Sequence, residues 1–248
     1  MEKVSLNLDE GIATLRLDNG VTNAISPALV EEVSAALETV RSEGRGLVLS
    51  GGEKFFSIGF DVPSLLQLDR NGLAEFFTNF NRVILDIYTL PMPTACAIAG
   101  HATGGGNIFA LAGDYRFMGE GRKVIGLNEV NLGLPVPYLT DLILRQVVGD
   151  RVATEMQFCG DLLSVEQAQR VGLVDDVAPG AEVEEKVLEK VKAMAQKPRC
   201  GFSQIKEYRV EEIGRMYEEH GPGKNARFVE TWFRPEVQEL LKKAAEKF

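Results

Sequence analysis

Three consecutive glycines, Gly104-Gly105-Gly106, constrain this chain more than any other feature. They follow an apolar run, Thr94–Ala99, and a lead-in, Gly100-His101-Ala102-Thr103, and an apolar helical segment, Asn107–Ala112, begins at once. Strand, glycine loop and helix in succession place bare backbone N–H groups at a helix N-terminus. Such groups bind an anion or a developing oxyanion, or simply allow a helix and a strand to approach closely. Familiar versions of the motif fail on their own terms. A dinucleotide fingerprint needs glycine at the sixth position from Gly104, where Phe109 stands. A phosphate-cradling loop needs Gly-Lys-Ser/Thr, and Asn107-Ile108 is there instead. A nucleophile elbow fails at Ser57, which has Phe55 two residues before it.

The rest of the chain sets that loop in an α/β context. Lys3–Leu8 alternates, turns at Asp9-Glu10-Gly11 and continues as Ile12–Leu17, the pattern of a β-hairpin. Ser26-Pro27 is an N-cap with proline at the first helical position, and Leu29, Val30, Val33, Ala36, Leu37 and Val40 carry a helical stripe to Gly44. Gly46–Ser50 is an apolar strand, Glu53–Asp61 a loop, and Leu73–Tyr88 a helix that stops at Pro91 and Pro93. Tyr115–Met118 and Val124–Ile125 are short strands. Helices are expected over Tyr138–Val148, Arg151–Phe158, Val165–Val171, Val183–Gln196 and from Gly201 onward, with one more strand at Leu173–Val177. Strands alternating with helices predict an α/β core. The helical tail, with Phe228, Val229, Trp232, Phe233, Leu240 and Leu241, needs an apolar surface on the body or on another subunit.

Composition narrows the function. A net charge of −9 over 248 residues argues against nucleic acid as a partner. The basic pairs at Arg122–Lys123, Lys206–Arg209 and Lys242–Lys243 read as solvated surface. Three scattered cysteines and two histidines, with no CxxC, argue against a metal site and against a disulfide framework. No apolar run approaches the ~18 residues of a membrane span. The first residues resemble no leader and the terminal Glu-Lys-Phe is not a peroxisomal address, so the expectation is a cytoplasmic protein.

Two further segments could carry chemistry. Phe55-Phe56-Ser57-Ile58-Gly59-Phe60-Asp61 is an aromatic loop bracketed by Gly51, Gly52 and Gly59, consistent either with core packing or with a special backbone conformation. Gly126-Leu127-Asn128-Glu129-Val130-Asn131-Leu132-Gly133 sets a carboxylate among Ile125, Leu127, Val130, Leu132 and Leu134. Such a carboxylate is either exposed on a loop or, if buried, raised in pKa toward the range of a general base. His101, Asp61 and Asp114 read as packing, cap or turn residues.

Together the three segments resemble the crotonase (enoyl-CoA hydratase/isomerase) superfamily, in the same order and at similar spacing. The resemblance runs from the Asp18–Ile25 loop, similar to the family's "RP…NAL", to Phe233-Arg234-Pro235-Glu236-Val237-Gln238-Glu239, similar to its "SPEVQEG". It implies a spiral of ββα units over residues 1–195 and a helical C-terminal trimerisation region over 196–248. It implies oxyanion-hole amides at Phe60 and Gly105, and backbone at Ile58 meeting the adenine end of coenzyme A. No separate cofactor is implied, because coenzyme A belongs to the substrate.

Hydratases of the family carry two glutamates; here the first position is Ile108 and the second is Glu129. Their glycine-rich turn is replaced by Pro135-Val136-Pro137-Tyr138, which removes backbone donors. The Gly126–Gly133 run looks particularly like the single-glutamate 3-enoyl-CoA to 2-enoyl-CoA isomerases. The expectation is therefore an enoyl-CoA isomerase, homotrimeric or hexameric, with Glu129 as base and acid. Hydration, thioester hydrolysis, decarboxylation and acyl-CoA binding without turnover are the alternatives.

Overall fold

The computed structural model describes residues 2–246; Met1, and Lys247 and Phe248 of the Glu-Lys-Phe ending, lie outside them. The antiparallel hairpin β1 (Val4–Asp9) and β2 (Ile12–Leu17) opens the chain. Helix α1 (Pro27–Glu43) begins as its cap predicts, with the Leu29 N–H donating to the Ser26 hydroxyl. Then a unit repeats. Strands β3 (Gly46–Ser50) and β4 (Phe55–Ser57) lead through the short α2 (Val62–Leu65) to α3 (Arg70–Tyr88). Strands β5 (Thr94–Ile98) and β6 (His101–Thr103) lead to α4 (Gly105–Leu111). Strands β7 (Tyr115–Gly119) and β8 (Val124–Gly126) lead through a 3₁₀ turn, Glu129–Leu132, to α5 (Tyr138–Cys159). The remainder is β9 (Leu163–Ser164), α6 (Val165–Arg170), β10 (Asp176–Ala178), α7 (Val183–Ala195), α8 (Arg199–Trp232) and α9 (Pro235–Ala245).

Each ββα unit gives its first strand to one sheet and its second to another. One sheet has the order β1-β2-β3-β5-β7-β10, parallel from β2 onward; the other runs β4-β6-β8-β9. The first strands are buried except for half-buried Tyr115 at the start of β7, as expected of parallel strands covered on both faces. This stacking is the crotonase-type spiral. The passage from first strand to second in each unit brings the β3–β4, β5–β6 and β7–β8 segments together, and these include the three chemically interesting stretches.

The helical tail packs on the body. Helix α8 lies on α3 and α5, and α9 on α2 and the 3₁₀ turn. Phe228 stacks on Phe77 with ring centroids 3.9 Å apart, and Trp232 and Leu241 are buried in the main core.

Several expectations need correction. The Glu53–Asp61 loop contains β4, which exists only because it pairs with β6 more than forty residues later. The two helices expected either side of residues 149–150 form one element broken at Gly149 (φ 79, ψ 159). Leu173 and Val174 are not strand: their N–H groups both donate to the Ala168 carbonyl, closing α6, and β10 starts at Asp176. Lys206 is buried, not solvated; its ammonium donates to the Met92 carbonyl, the Thr94 hydroxyl and the Asp114 carboxylate.

Candidate active site

The loop after β4 is held from three sides. The Ser57 hydroxyl donates to the Asn23 carbonyl (2.7 Å) and accepts from the Gly59 N–H (3.1 Å). The Asn23 side chain donates to the Phe55 and Phe56 carbonyls, and the Thr103 hydroxyl donates to the Ile58 carbonyl (2.7 Å). Ile25 then bridges the loop, its N–H donating to Gly59 and its carbonyl accepting from Asp61. Because peptide groups alternate direction along an extended segment, this turns the intervening Phe60 N–H away from Ile25. Its ring sits edge-on against Phe76 and Phe80 at 5.3 and 4.8 Å.

Gly105 opens α4, so its N–H has no partner within the helix. Among the described residues neither the Phe60 nor the Gly105 N–H donates to a protein acceptor. The two loops touch: a Cβ on Gly59 would lie 3.1 Å from the Gly105 nitrogen and 2.8 Å from the Thr103 carbonyl oxygen, and Gly59 has φ 104. Glycine is therefore required where the two free amides meet.

Glu129 starts the 3₁₀ turn after β8, a turn anchored by the Leu134 N–H donating to the Glu129 carbonyl. Its Oε1 lies 3.7 Å from where a Cβ on Gly104 would stand, one residue before the Gly105 amide. The carboxyl is buried, Oε2 has no hydrogen-bond partner, and Glu129 forms no ion pair among the described residues. Burial pushes its pKa up to about 7, against the weaker pull of the Glu129 and Asn128 N–H groups. The carboxyl is thus poised to hold or release a proton near neutrality. Ile108, one turn along α4 from Gly105, is a buried side chain with no proton to move.

The remaining candidates separate cleanly. Ile58 uses its N–H on the Thr22 carbonyl and its own carbonyl on Thr103, which leaves that oxygen one further lone pair. His101 accepts the Val124 N–H at Nδ1 and packs on Phe55; burial lowers its pKa. Asp61 caps α2 and Asp114 pairs with Lys206. Asn23, Thr103 and Asn128 are site residues that sequence reasoning passed over. Asn23 carried one visible signal, an asparagine in a loop after a hairpin, where it adopts φ 46. Beside the Glu129 turn lies a groove of about 500 Å³ with walls that include Val130, Leu134, Val136, Phe158 and Phe228. No cluster of metal-ligating side chains occurs among the described residues, and no helix is long and apolar enough to cross a membrane.

A buried carboxyl stands beside Gly104, one residue before a free backbone amide, on a spiral of ββα units, as the resemblance to the crotonase superfamily implies. The chain belongs to the enoyl-CoA hydratase/isomerase family, whose pattern matches residues 7–247. It is 32% identical over 200 residues to a probable enoyl-CoA hydratase of Bacillus subtilis, covering 79% of this chain and 76% of that one. It is 35% identical over 159 residues to enoyl-CoA delta isomerase 3 of Arabidopsis thaliana, covering 61% and 67%. Its fold superposes on the crystal structure of human mitochondrial delta3-delta2-enoyl-CoA isomerase with a TM-score of 0.94 at 24% identity, covering 99% of this chain and 97% of that one. The relatives carry both hydratase and isomerase names, so family membership defines an enoyl-CoA enzyme and leaves its reaction to the site.

Proposed function

We propose that this protein moves the double bond of a 3-enoyl-CoA into conjugation with the thioester. The observation that carries the reading is the state of Glu129 beside Gly104: buried, with Oε2 unpartnered among the described residues and a pKa of about 7, and with Ile108 where a second acid would stand. Adding water across a double bond calls for a group that activates the water and one that protonates carbon. Shuttling one proton calls for a single group that does both in turn.

In the ionised state Glu129 takes the proton from C2. The C–H electron pair becomes the C1–C2 double bond of an enolate, and negative charge moves onto the thioester oxygen. The Phe60 and Gly105 N–H groups receive that charge; a donor of this kind contributes on the order of 10²–10³ in rate. The enolate then collapses: the carbonyl reforms, C2–C3 becomes the double bond, and C4 takes the proton back from Glu129. Atoms and charge balance, and the enzyme returns to its starting state. The apolar wall of Phe60, Phe76 and Phe80 limits water at the enolate. In this reading the acyl chain runs into the groove beside Val130 and Val136, and the Ile58 carbonyl meets the adenine amino group. Assembly as a homotrimer or hexamer belongs to the same reading and is measured by light scattering of the purified protein.

The test is incubation of the purified protein with 3-hexenoyl-CoA and, separately, crotonyl-CoA. The reading predicts 2-hexenoyl-CoA from the first, slowed on the order of 10²–10⁴-fold in Glu129→Gln. Hydration of crotonyl-CoA without isomerisation of 3-hexenoyl-CoA supports the hydratase reading instead.

A further inference from the structure

Asn128 precedes Glu129 and has no part in the reaction as written so far. Its Oδ1 lies 3.4 Å from the position a Cβ on Gly104 would take, and Glu129 Oε1 lies 3.7 Å from that same point. The two side chains therefore share one ledge, the bare Cα of Gly104, next to the Gly105 amide. The ledge is fixed, because the Gly104 N–H donates to the Gly126 carbonyl (2.9 Å) and its carbonyl accepts the Ile108 N–H (3.1 Å). Gly104 sits at φ 51, ψ −121, so no side chain competes for the space. Asn128 is half-buried, and its carboxamide makes no hydrogen bond among the described residues. Glu129 Oε2 is buried beside it and equally without a partner. Both oxygens thus lie within 4 Å of one point, and neither the Asn128 carboxamide nor Glu129 Oε2 is committed to another group among the described residues.

We propose that Asn128 is a positioning residue for Glu129, holding the carboxyl over Gly104 in both of its protonation states; the proposal rests on the isomerase reading. That reading makes Glu129 alternate between carboxylate and carboxylic acid within each turnover. A carboxamide can donate to the first through Nδ2 and accept from the second through Oδ1, with no change in its own charge. Aspartate could only accept while ionised, and its charge would repel the carboxylate; alanine could do neither.

The test compares wild type, Asn128→Ala and the isosteric Asn128→Asp on 3-hexenoyl-CoA, with kcat, KM, the pH profile of kcat/KM and thermal midpoint measured for each. In Asn128→Ala, kcat should fall about 10- to 100-fold through misplacement of the base, with KM within about twofold and the thermal midpoint near wild type. In Asn128→Asp the acid limb of the profile should move up by about one pH unit, through like-charge repulsion. An Asn128→Ala enzyme within about twofold of wild-type kcat overturns the proposal, as does a loss confined to KM. Should Asn128→Ala fail to fold, an unmoved acid limb in Asn128→Asp overturns it alone. A wild type that hydrates crotonyl-CoA but isomerises nothing removes the isomerase reading first, and this proposal with it.

Discussion

At the residue scale the chemistry turns on what it costs to ionise Glu129. A carboxyl whose pKa rises from 4.5 to about 7 on burial favours its protonated form in the fold. Folding therefore loses stability as pH rises from about 4.5 to about 7, by about 3 kcal/mol in all, and the loss persists above that. Glu129→Gln keeps the shape and removes the charge. Urea unfolding should find it more stable than wild type at pH 8, by up to about 3 kcal/mol, and equal to it at pH 4. Equal stability at both values would mean the carboxyl is solvated. The same titration predicts that kcat/KM for a 3-enoyl-CoA falls as pH drops below about 7, because only the ionised carboxyl abstracts a proton. Glu129 was legible in the sequence only in company: amid five apolar neighbours it could still be an exposed loop residue, and the resemblance carried by the three segments together singled it out. Lys206 was not. Its burial depends on Asp114 and Thr94, which fold back from about a hundred residues away, and no local pattern announces them.

At the element scale the site is the junction of two loops, one after β4 and one before α4. The junction tolerates no side chain at Gly59, where a Cβ would press on the Thr103 carbonyl and the Gly105 nitrogen at a φ of 104. Gly59→Ala should separate the two amides and lower kcat by about 10²-fold, as loss of one oxyanion donor does. A variant with wild-type kcat would show that the amides do not act as a pair. Elements set by local chemistry were readable in advance: the Ser26-Pro27 cap starts α1, and the alternating runs form the first hairpin. Elements set by distant pairing were not. Three-residue β4 is strand only through β6. Leu173 and Val174 look like strand because they are apolar, yet they are the buried turn that ends α6.

At the scale of the whole molecule, the spiral brings three separate stretches to one place, and the C-terminal helices complete the body. Val237 and Leu240 of α9 pack on Gly133 at the end of the Glu129 turn, so the tail buttresses that turn. The single chain still leaves apolar groups uncovered, Phe158 most of all at 79% exposed. On the proposed assembly this face is covered by another copy. Phe158→Glu should then shift the mass found by light scattering toward a single chain; a single-chain mass for wild type would refute the assembly. The resemblance that implied the spiral ran through motifs spread along the chain, which is why the fold was readable as a whole where individual short strands were not. The central claim, that one buried carboxyl shuttles one proton, is tested most directly by product analysis with 3-hexenoyl-CoA, comparing wild type and Glu129→Gln. The account predicts 2-hexenoyl-CoA from wild type and almost none from the variant. Full activity in Glu129→Gln would contradict it.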